Sequence, residues 1–105
     1  MEEVTKDSFQ REVIESKKPV VLDFWGPQCV PCIALMPQVE AMASQYGDKI
    51  KIAKVEAPKN RRLCIELKVM ALPTFLFFKD GREVDRLANS VTAEAIEASI
   101  GKLLE

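Results

Sequence analysis

The sequence contains no histidine and only three cysteines among its 105 residues. Histidine is the commonest metal ligand and the side chain that most readily exchanges protons near neutral pH, so neither role can be filled by it here. A structural zinc site normally needs four cysteine or histidine ligands, which three cysteines do not supply. We therefore expect no metal site, and we expect a carboxylate to serve as any proton acceptor.

A strong excess of charge is also absent, with 15 basic against 16 acidic side chains. Binding to nucleic acid or to an anionic membrane surface usually needs a basic excess, so we expect neither partner. The N-terminus, Met1-Glu2-Glu3, is acidic and lacks the apolar stretch of a secretion signal, which predicts a cytoplasmic protein. The length predicts a single domain, residues 1–105, whose core needs no crosslink.

Short apolar segments alternate with segments of helical spacing along the chain. Runs rich in Val, Ile and Phe predict strands at 19–24, 50–55 and 74–79, and a further strand is expected at 83–88, after a hairpin turn. Apolar residues at helical spacing predict helices at 9–17, 32–46, 60–67 and from Thr92 onward, and Gly47 is expected to end the second. The dipeptide Asp80-Gly81 is typical of a tight hairpin turn. We expect the order β-α-β-α-β-α-β-β-α, with helices on both faces of the sheet, crossovers joining parallel strands and a final antiparallel hairpin.

Two cysteines, Cys29 and Cys32, follow the apolar strand at 19–24 in the sequence WGPQCVPC. They are predicted at the start of a helix, where unpaired N–H groups and the helix dipole favour a thiolate. Such a pair is consistent with a zinc half-site, a structural crosslink or redox exchange. Too few ligands are present for zinc, and a crosslink across so small a loop adds little stability in a reducing compartment. Thiol–disulfide exchange is therefore the favoured interpretation.

The segment VVLDFWGPQCVPC, residues 20–32, is similar to the active-site region of the thioredoxin family. Pro37, Leu72-Pro73-Thr74 and Asp80-Gly81 match further parts of the family pattern in the same order and spacing. The resemblance implies an α/β thioredoxin fold, with a central mixed sheet of about five strands flanked by four helices. It also implies a thiol–disulfide oxidoreductase that uses no cofactor.

The resemblance implies specific roles for five residues. Cys29 is the expected nucleophile and Cys32 the expected resolving thiol. Asp23 is an isolated acid in an apolar strand, so we expect burial to raise its pKa and make it the proton acceptor for Cys32; a tolerated core polar group is the alternative. Lys54 is expected to tune that proton affinity, unless it only extends to solvent from a strand edge. Pro73 matches the cis-proline of the family, which borders the groove for an extended target.

The other predicted contacts with target proteins surround the cysteines: Trp25, Gln28, Val30, Pro31, Leu72 and Asn89. Several positions depart from the family pattern. Gln28 stands in place of a tryptophan, Val30 and Asn89 in place of glycines, and Gly26-Pro27 in place of an alanine and its neighbour. We expect these changes to lie on the docking rim and to alter partner choice, leaving the chemistry intact. The remaining cysteine, Cys64, is predicted to be a small core residue.

These observations predict a monomeric dithiol carrier that reduces disulfide-containing target proteins. A thioredoxin reductase is expected to regenerate it, and the altered rim suggests an atypical one. Two alternatives stay open at this point: a disulfide oxidase or isomerase, and a non-catalytic interaction module built on the same fold.

Overall fold

The computed structural model describes all of residues 1–105. Its strands are β1 Glu2–Glu3, β2 Val20–Trp25, β3 Lys51–Glu56, β4 Thr74–Lys79 and β5 Arg82–Ala88. Its helices are α1 Val30–Tyr46, α2 Arg61–Glu66 and α3 Ala93–Leu103, with a π-helical segment Gln10–Ile14 and a 3-10 turn Ala57–Lys59. The predicted element order and the mixed α/β architecture of the thioredoxin fold are confirmed.

The strands form one five-stranded sheet in the order β1-β3-β2-β4-β5. Both β1 and β2 run parallel to β3, while β4 is antiparallel to β2 and β5 is antiparallel to β4. The prediction that crossovers join parallel neighbours is therefore correct for the α1 connection and wrong for the α2 connection. With six residues, α2 spans about 9 Å and does not carry the chain back along a six-residue strand of roughly 20 Å. Consequently, β4 begins at the end of the sheet where β3 stops, with Thr74 opposite Phe24.

Helices cover both faces of the sheet, as predicted. On one face, α1 and α3 enclose a core that contains Val21, Phe75 and Phe77. On the other face, the π-helical segment and α2 cover a second core built around Leu22 and Phe24. Because side chains alternate along a strand, Asp23 and Trp25 share the face of Val21, beneath α1.

The first helix is shorter than predicted and has π geometry. The N–H of Glu15 donates to the carbonyl of Gln10, five residues back, at 2.9 Å. The hydroxyl of Ser16 then donates to the Lys18 carbonyl at 2.8 Å, a local bond that competes with helix continuation. Pro19 further disfavours helical geometry at the residue before it, so the helix ends at Ile14 and not near residue 17.

The other predicted boundaries hold within about two residues. Thr92 caps α3 by accepting a hydrogen bond from the Ala95 N–H at 3.1 Å. Gly47 ends α1 with a positive φ of 44°, a conformation that suits glycine. Gly81 turns the β4–β5 hairpin at a φ of 77° and lies so close to the Ile14 carbonyl that an added Cβ would meet its oxygen at 2.8 Å. None of the helices combines the length and apolarity that a membrane crossing requires.

Candidate functional site

The two cysteines of the CVPC sequence lie where the central strand β2 passes into α1. The Cys29 N–H donates to the Gly26 carbonyl at 3.1 Å, which closes the turn between the strand and the helix. Cys29 is the N-cap residue of α1 and has extended backbone geometry. Pro31 fits in the first helical turn because the N–H groups there have no partner within the helix. The sequence thus places both sulfurs at the N-terminus of a 17-residue helix.

Cys29 and Cys32 are joined by a disulfide bond. Cys29 is partly exposed, whereas Cys32 is only 2% exposed and belongs to the stripe of α1 that packs on the sheet. The Sγ of Cys29 accepts a hydrogen bond from the Cys32 N–H at 3.2 Å. The first turn contains no acidic residue, so the N–H groups and the helix dipole there favour negative charge on this sulfur.

Asp23 is a buried carboxyl in the middle of β2. It is 2% exposed, and its Oδ1 has no hydrogen-bond partner. Burial raises the pKa of Asp23 to about 7, because desolvation disfavours the charged form, while the positive charge of Lys54 acts in the opposite direction. A carboxyl with this pKa can take up and release a proton near neutral pH.

Lys54 is the direct neighbour of Asp23 across the parallel β2–β3 pair. Its Nζ lies 5.3 Å from the centre of the Trp25 ring, in a cation–π contact. The alternative of a lysine at a strand edge is wrong, since β3 lies between β1 and β2 and Lys54 is partly buried. Trp25 is also partly buried, and its Nε1 has no hydrogen-bond acceptor.

The Leu72–Pro73 peptide bond is cis and immediately precedes β4. Neither the N–H nor the carbonyl of Leu72 is hydrogen-bonded within the protein. The Leu72 side chain packs against Gly26, where an added Cβ would lie 3.3 Å from Leu72 Cδ1. The loops before β4 and after β2 are therefore in contact, and the Leu72 backbone is free to pair with another chain.

The predicted rim residues are mostly exposed around this end of the sheet. Gln28, Val30 and Pro31 are exposed beside Cys29, and Val30 is 77% exposed. Asn89 is exposed with a φ of 60°, a left-handed geometry that asparagine tolerates better than most residues. It directly follows Ala88, the partner of Thr74 in the β4–β5 pair, so it lies alongside the Pro73 segment.

Gly26 is an exception among the positions that depart from the family pattern. We expected it on the docking rim, but it is buried against Leu72 and Pro58. The absence of a side chain allows these two loops to approach each other closely. This substitution therefore affects packing beneath the rim and not the exposed surface.

Arg86 lies near the site, and no motif or pattern in the sequence pointed to it. Its two terminal nitrogens donate to the carbonyls of Lys68 and Leu67 at 2.9 and 2.7 Å, and its guanidinium also pairs with Glu83. These bonds tie β5 to the end of α2, from which the chain continues to Leu72 and Pro73. The contact joins residues 18 and 19 positions apart in the chain, so no local pattern predicts it.

Cys64 is separate from the CVPC pair. It is a free, buried cysteine on α2 that packs with Leu63 in the core on the opposite face of the sheet. Burial raises the pKa of its thiol. The structure therefore places it as the small core residue that was predicted.

Comparison with known proteins gives one consistent result. A model of the thioredoxin family matches residues 1–102. A thioredoxin of Acetoanaerobium sticklandii is 40% identical over 105 residues, covering 99% of this chain and 100% of that protein. A thioredoxin of Peptoclostridium acidaminophilum is 41% identical over 101 residues, covering 95% and 92%. Thioredoxin 1 of Synechococcus elongatus is 37% identical over 101 residues, covering 96% and 94%.

These relatives match nearly the full length of the chain and contain no additional domain of comparable size. The oxidase or isomerase and the non-catalytic module are not favoured by any of them. The chain therefore belongs to the thioredoxin family and is a thiol–disulfide oxidoreductase.

Proposed function

We propose that Cys29 is the attacking sulfur and Cys32 the resolving sulfur in the reduction of disulfides in other proteins. The observation that carries this assignment is the asymmetry of the pair. Cys29 is partly exposed at the helix N-terminus and accepts an N–H bond, whereas Cys32 is 2% exposed. An incoming disulfide can reach only the first of these sulfurs without a rearrangement of the helix.

The reaction consists of two exchanges of sulfur partners. The Cys29 thiolate attacks one sulfur of the target disulfide, forms a mixed disulfide and releases the other target sulfur as a thiolate. Cys32 then loses its proton and attacks the Cys29 sulfur, which forms the Cys29–Cys32 disulfide and releases the second target thiolate. Two electrons pass from the protein to the target, and the released thiolates take up protons from solvent.

We assign Asp23 as the group that accepts the proton lost by Cys32. Both lie between α1 and the sheet, because Cys32 is on the sheet-facing stripe of α1 and Asp23 is on the sheet face beneath it. The pKa of Asp23 is about 7, which matches the demand on a general base at neutral pH. Lys54 would tune this carboxyl through its opposing charge.

The target binds, in this proposal, as an extended segment along the Leu72–Pro73 loop. The free N–H and carbonyl of Leu72 would pair with target backbone, as in other complexes that add a strand. The rim residues at this end of the sheet would contact target side chains: Trp25, Gln28, Val30, Pro31 and Asn89. Because this binding depends on hydrogen bonds between backbones, it is compatible with targets of different sequence.

Family members reduce disulfide-containing proteins and are regenerated by a thioredoxin reductase. For this chain we propose an atypical reductase, because Gln28 and Val30 are exposed next to Cys29 where the partner would dock. The single-domain monomer and the cytoplasmic location stay predictions, which size-exclusion chromatography and cell fractionation would test.

An insulin-reduction assay with dithiothreitol tests the proposed roles. The wild-type protein should accelerate insulin reduction, and both Cys29→Ser and Cys32→Ser should lose turnover. Cys32→Ser alone should accumulate a mixed disulfide with the target, visible on a non-reducing gel. Cys64→Ser is the matched control and should retain activity. A stable mixed disulfide formed by Cys29→Ser through Cys32 would reverse the assignment.

A further inference from the structure

Lys54 has two possible partners on its own face of the sheet. Asp23 lies directly opposite it in the β2–β3 register, and Trp25 lies two residues further along β2. The ammonium occupies only one of these positions: its Nζ is 5.3 Å from the centre of the indole ring. It forms no salt bridge and donates no hydrogen bond to Asp23, whose Oδ1 has no partner at all.

The position of the ammonium is not forced by the length of the lysine side chain. Neighbouring strands are about 4.8 Å apart, and a lysine of four methylene groups easily reaches a carboxyl directly opposite it. Over the indole ring, the partly buried Lys54 keeps part of its hydration while gaining attraction to the π face. Next to Asp23, which is 2% exposed, it would lose that hydration.

Few other charged or titratable groups surround Asp23. Its β3 neighbour is Lys54, α1 contributes Cys32, and β4 contributes Phe75, which does not titrate. Glu56, two positions beyond Lys54 on β3, forms its own salt bridge with a lysine of the following turn. Lys54 is therefore the one cation whose position can change the charge state of Asp23.

We propose that Trp25 is a positioning residue that holds the Lys54 ammonium over its ring and so keeps it from pairing with Asp23. The consequence for the reaction rests on the function proposed above. A carboxyl without a close cation retains the basicity needed to accept the Cys32 proton, whereas an ion-paired carboxylate would be a weaker base. Trp25 thus acts on the chemistry through Lys54, without contact with the proton that moves.

The test is a double-mutant cycle that compares the pKa of Asp23 between variants. Carboxyl 13C NMR of the oxidised proteins measures this pKa. Oxidation removes the Cys29 and Cys32 thiols from the titration. In Trp25→Leu, Lys54 is free to approach Asp23, so the pKa of Asp23 should fall by about one unit or more, within the range of roughly 1–3 units typical of a carboxylate beside a cation. Trp25→Phe keeps an aromatic face and should stay close to the wild type.

The Trp25→Leu substitution in a Lys54→Met background distinguishes the effect of the Lys54 charge on the pKa of Asp23 from the effect of water entry. Loss of the indole ring can also lower the pKa of Asp23 by admitting water, but that effect does not need Lys54. Trp25→Leu should therefore produce a clearly smaller fall in Lys54→Met than in the wild-type background. An equal fall in both backgrounds, or no fall in either, would overturn the proposal.

A measurement on the wild-type protein keeps the proposal testable if Trp25→Leu does not fold. The ε-methylene protons of Lys54 should be shifted upfield by the indole ring current, relative to the other lysines. Resonances at ordinary lysine positions would exclude the contact. Failure of the base assignment is a separate result: Asp23→Asn would then leave the pH profile of insulin reduction unchanged, while the double-mutant cycle would still report on Trp25 and Lys54.

Discussion

The N–H of Cys32 donates a hydrogen bond to the sulfur of Cys29 at 3.2 Å, so the first turn of α1 is capped by the cysteine pair itself. In the reduced protein, the same bond that caps the helix would also stabilise negative charge on the Cys29 sulfur. Helix capping and the proposed activation of Cys29 therefore depend on the same hydrogen bond.

The unequal exposure of the cysteines predicts unequal reactivity. In the reduced protein, iodoacetamide should modify Cys29 roughly tenfold or more faster than Cys32, because Cys29 is accessible at the helix N-terminus whereas Cys32 is buried. Peptide mass spectrometry after short reaction times would measure this ratio. Cys64, which is 9% exposed, serves as the internal buried control and should react slowly. Preferential labelling of Cys32 would contradict the proposed order of attack.

Asp23 should make the folded protein less stable as pH rises. Its pKa is about 7 in the folded state, against 3.8 as the ordinary value, so the folded protein binds the proton more tightly than the unfolded chain. The contribution of Asp23 to the free energy of unfolding is fully present below pH 3.8, and it is lost as the pH rises from 3.8 to 7. Asp23→Asn cannot ionise and avoids this loss. Relative to wild type, its free energy of unfolding should therefore rise by about 3–4 kcal/mol between pH 4 and pH 8.

Urea unfolding of the oxidised proteins at several pH values would measure that difference. Comparison with wild type at each pH cancels the contributions of the other titrating groups. A difference that stays constant with pH would show that Asp23 is not held with a raised pKa.

Arg86 should stabilise the segment that leads to the cis-proline. Arg86→Ala removes the two donors to the carbonyls of Leu67 and Lys68. Because the side chain is 33% exposed, water partly replaces these bonds, and we expect a loss of about 1–2 kcal/mol in urea unfolding. Arg82→Ala is the matched control, since Arg82 is exposed on the same strand and forms no salt bridge. Equal effects of the two substitutions would argue against the role of Arg86.

The altered rim should reduce the fit to a standard thioredoxin reductase. The double substitution Gln28→Trp and Val30→Gly restores the family residues beside Cys29. We expect kcat/KM with an NADPH-dependent reductase of the standard type to rise about fivefold, the equivalent of about 1 kcal/mol of contact energy. Gln45→Trp, an exposed change near the far end of α1, should have no effect. Unchanged kinetics in the double variant would remove the rim as the determinant of partner choice.

Periodicity and turn residues predicted most of the fold. The alternation of apolar strands and helical segments predicted the order of the elements from residue 9 onward, and Asp80-Gly81 identified the hairpin. The direction of β4 could not be predicted, because it depends on how far the short helix α2 carries the chain through space. The π geometry of the first helix was also missed, since its widened hydrogen bonds leave no distinct pattern of apolar residues.

The site was predicted unevenly for similar reasons. The spacing of Cys29 and Cys32 is local, so the sequence identified both. Burial of Asp23 followed from the apolar residues on either side of it. The cis geometry at Pro73 came only from the family resemblance. Contact between Lys54 and Trp25 depends on the register of two strands, which no pattern within either strand specifies.

The two outer strands of the sheet affect how the protein behaves in a crowded solution. One outer strand, β1, consists of two exposed glutamates, and the other, β5, begins with exposed Arg82 and Glu83 and pairs with β4 through an irregular register. Short, charged or irregular edge strands of this kind disfavour edge-to-edge pairing with strands of other molecules. Aggregation through unpaired backbone is thus disfavoured along both outer strands, whereas the unbonded backbone of Leu72 lies in a loop outside these strands.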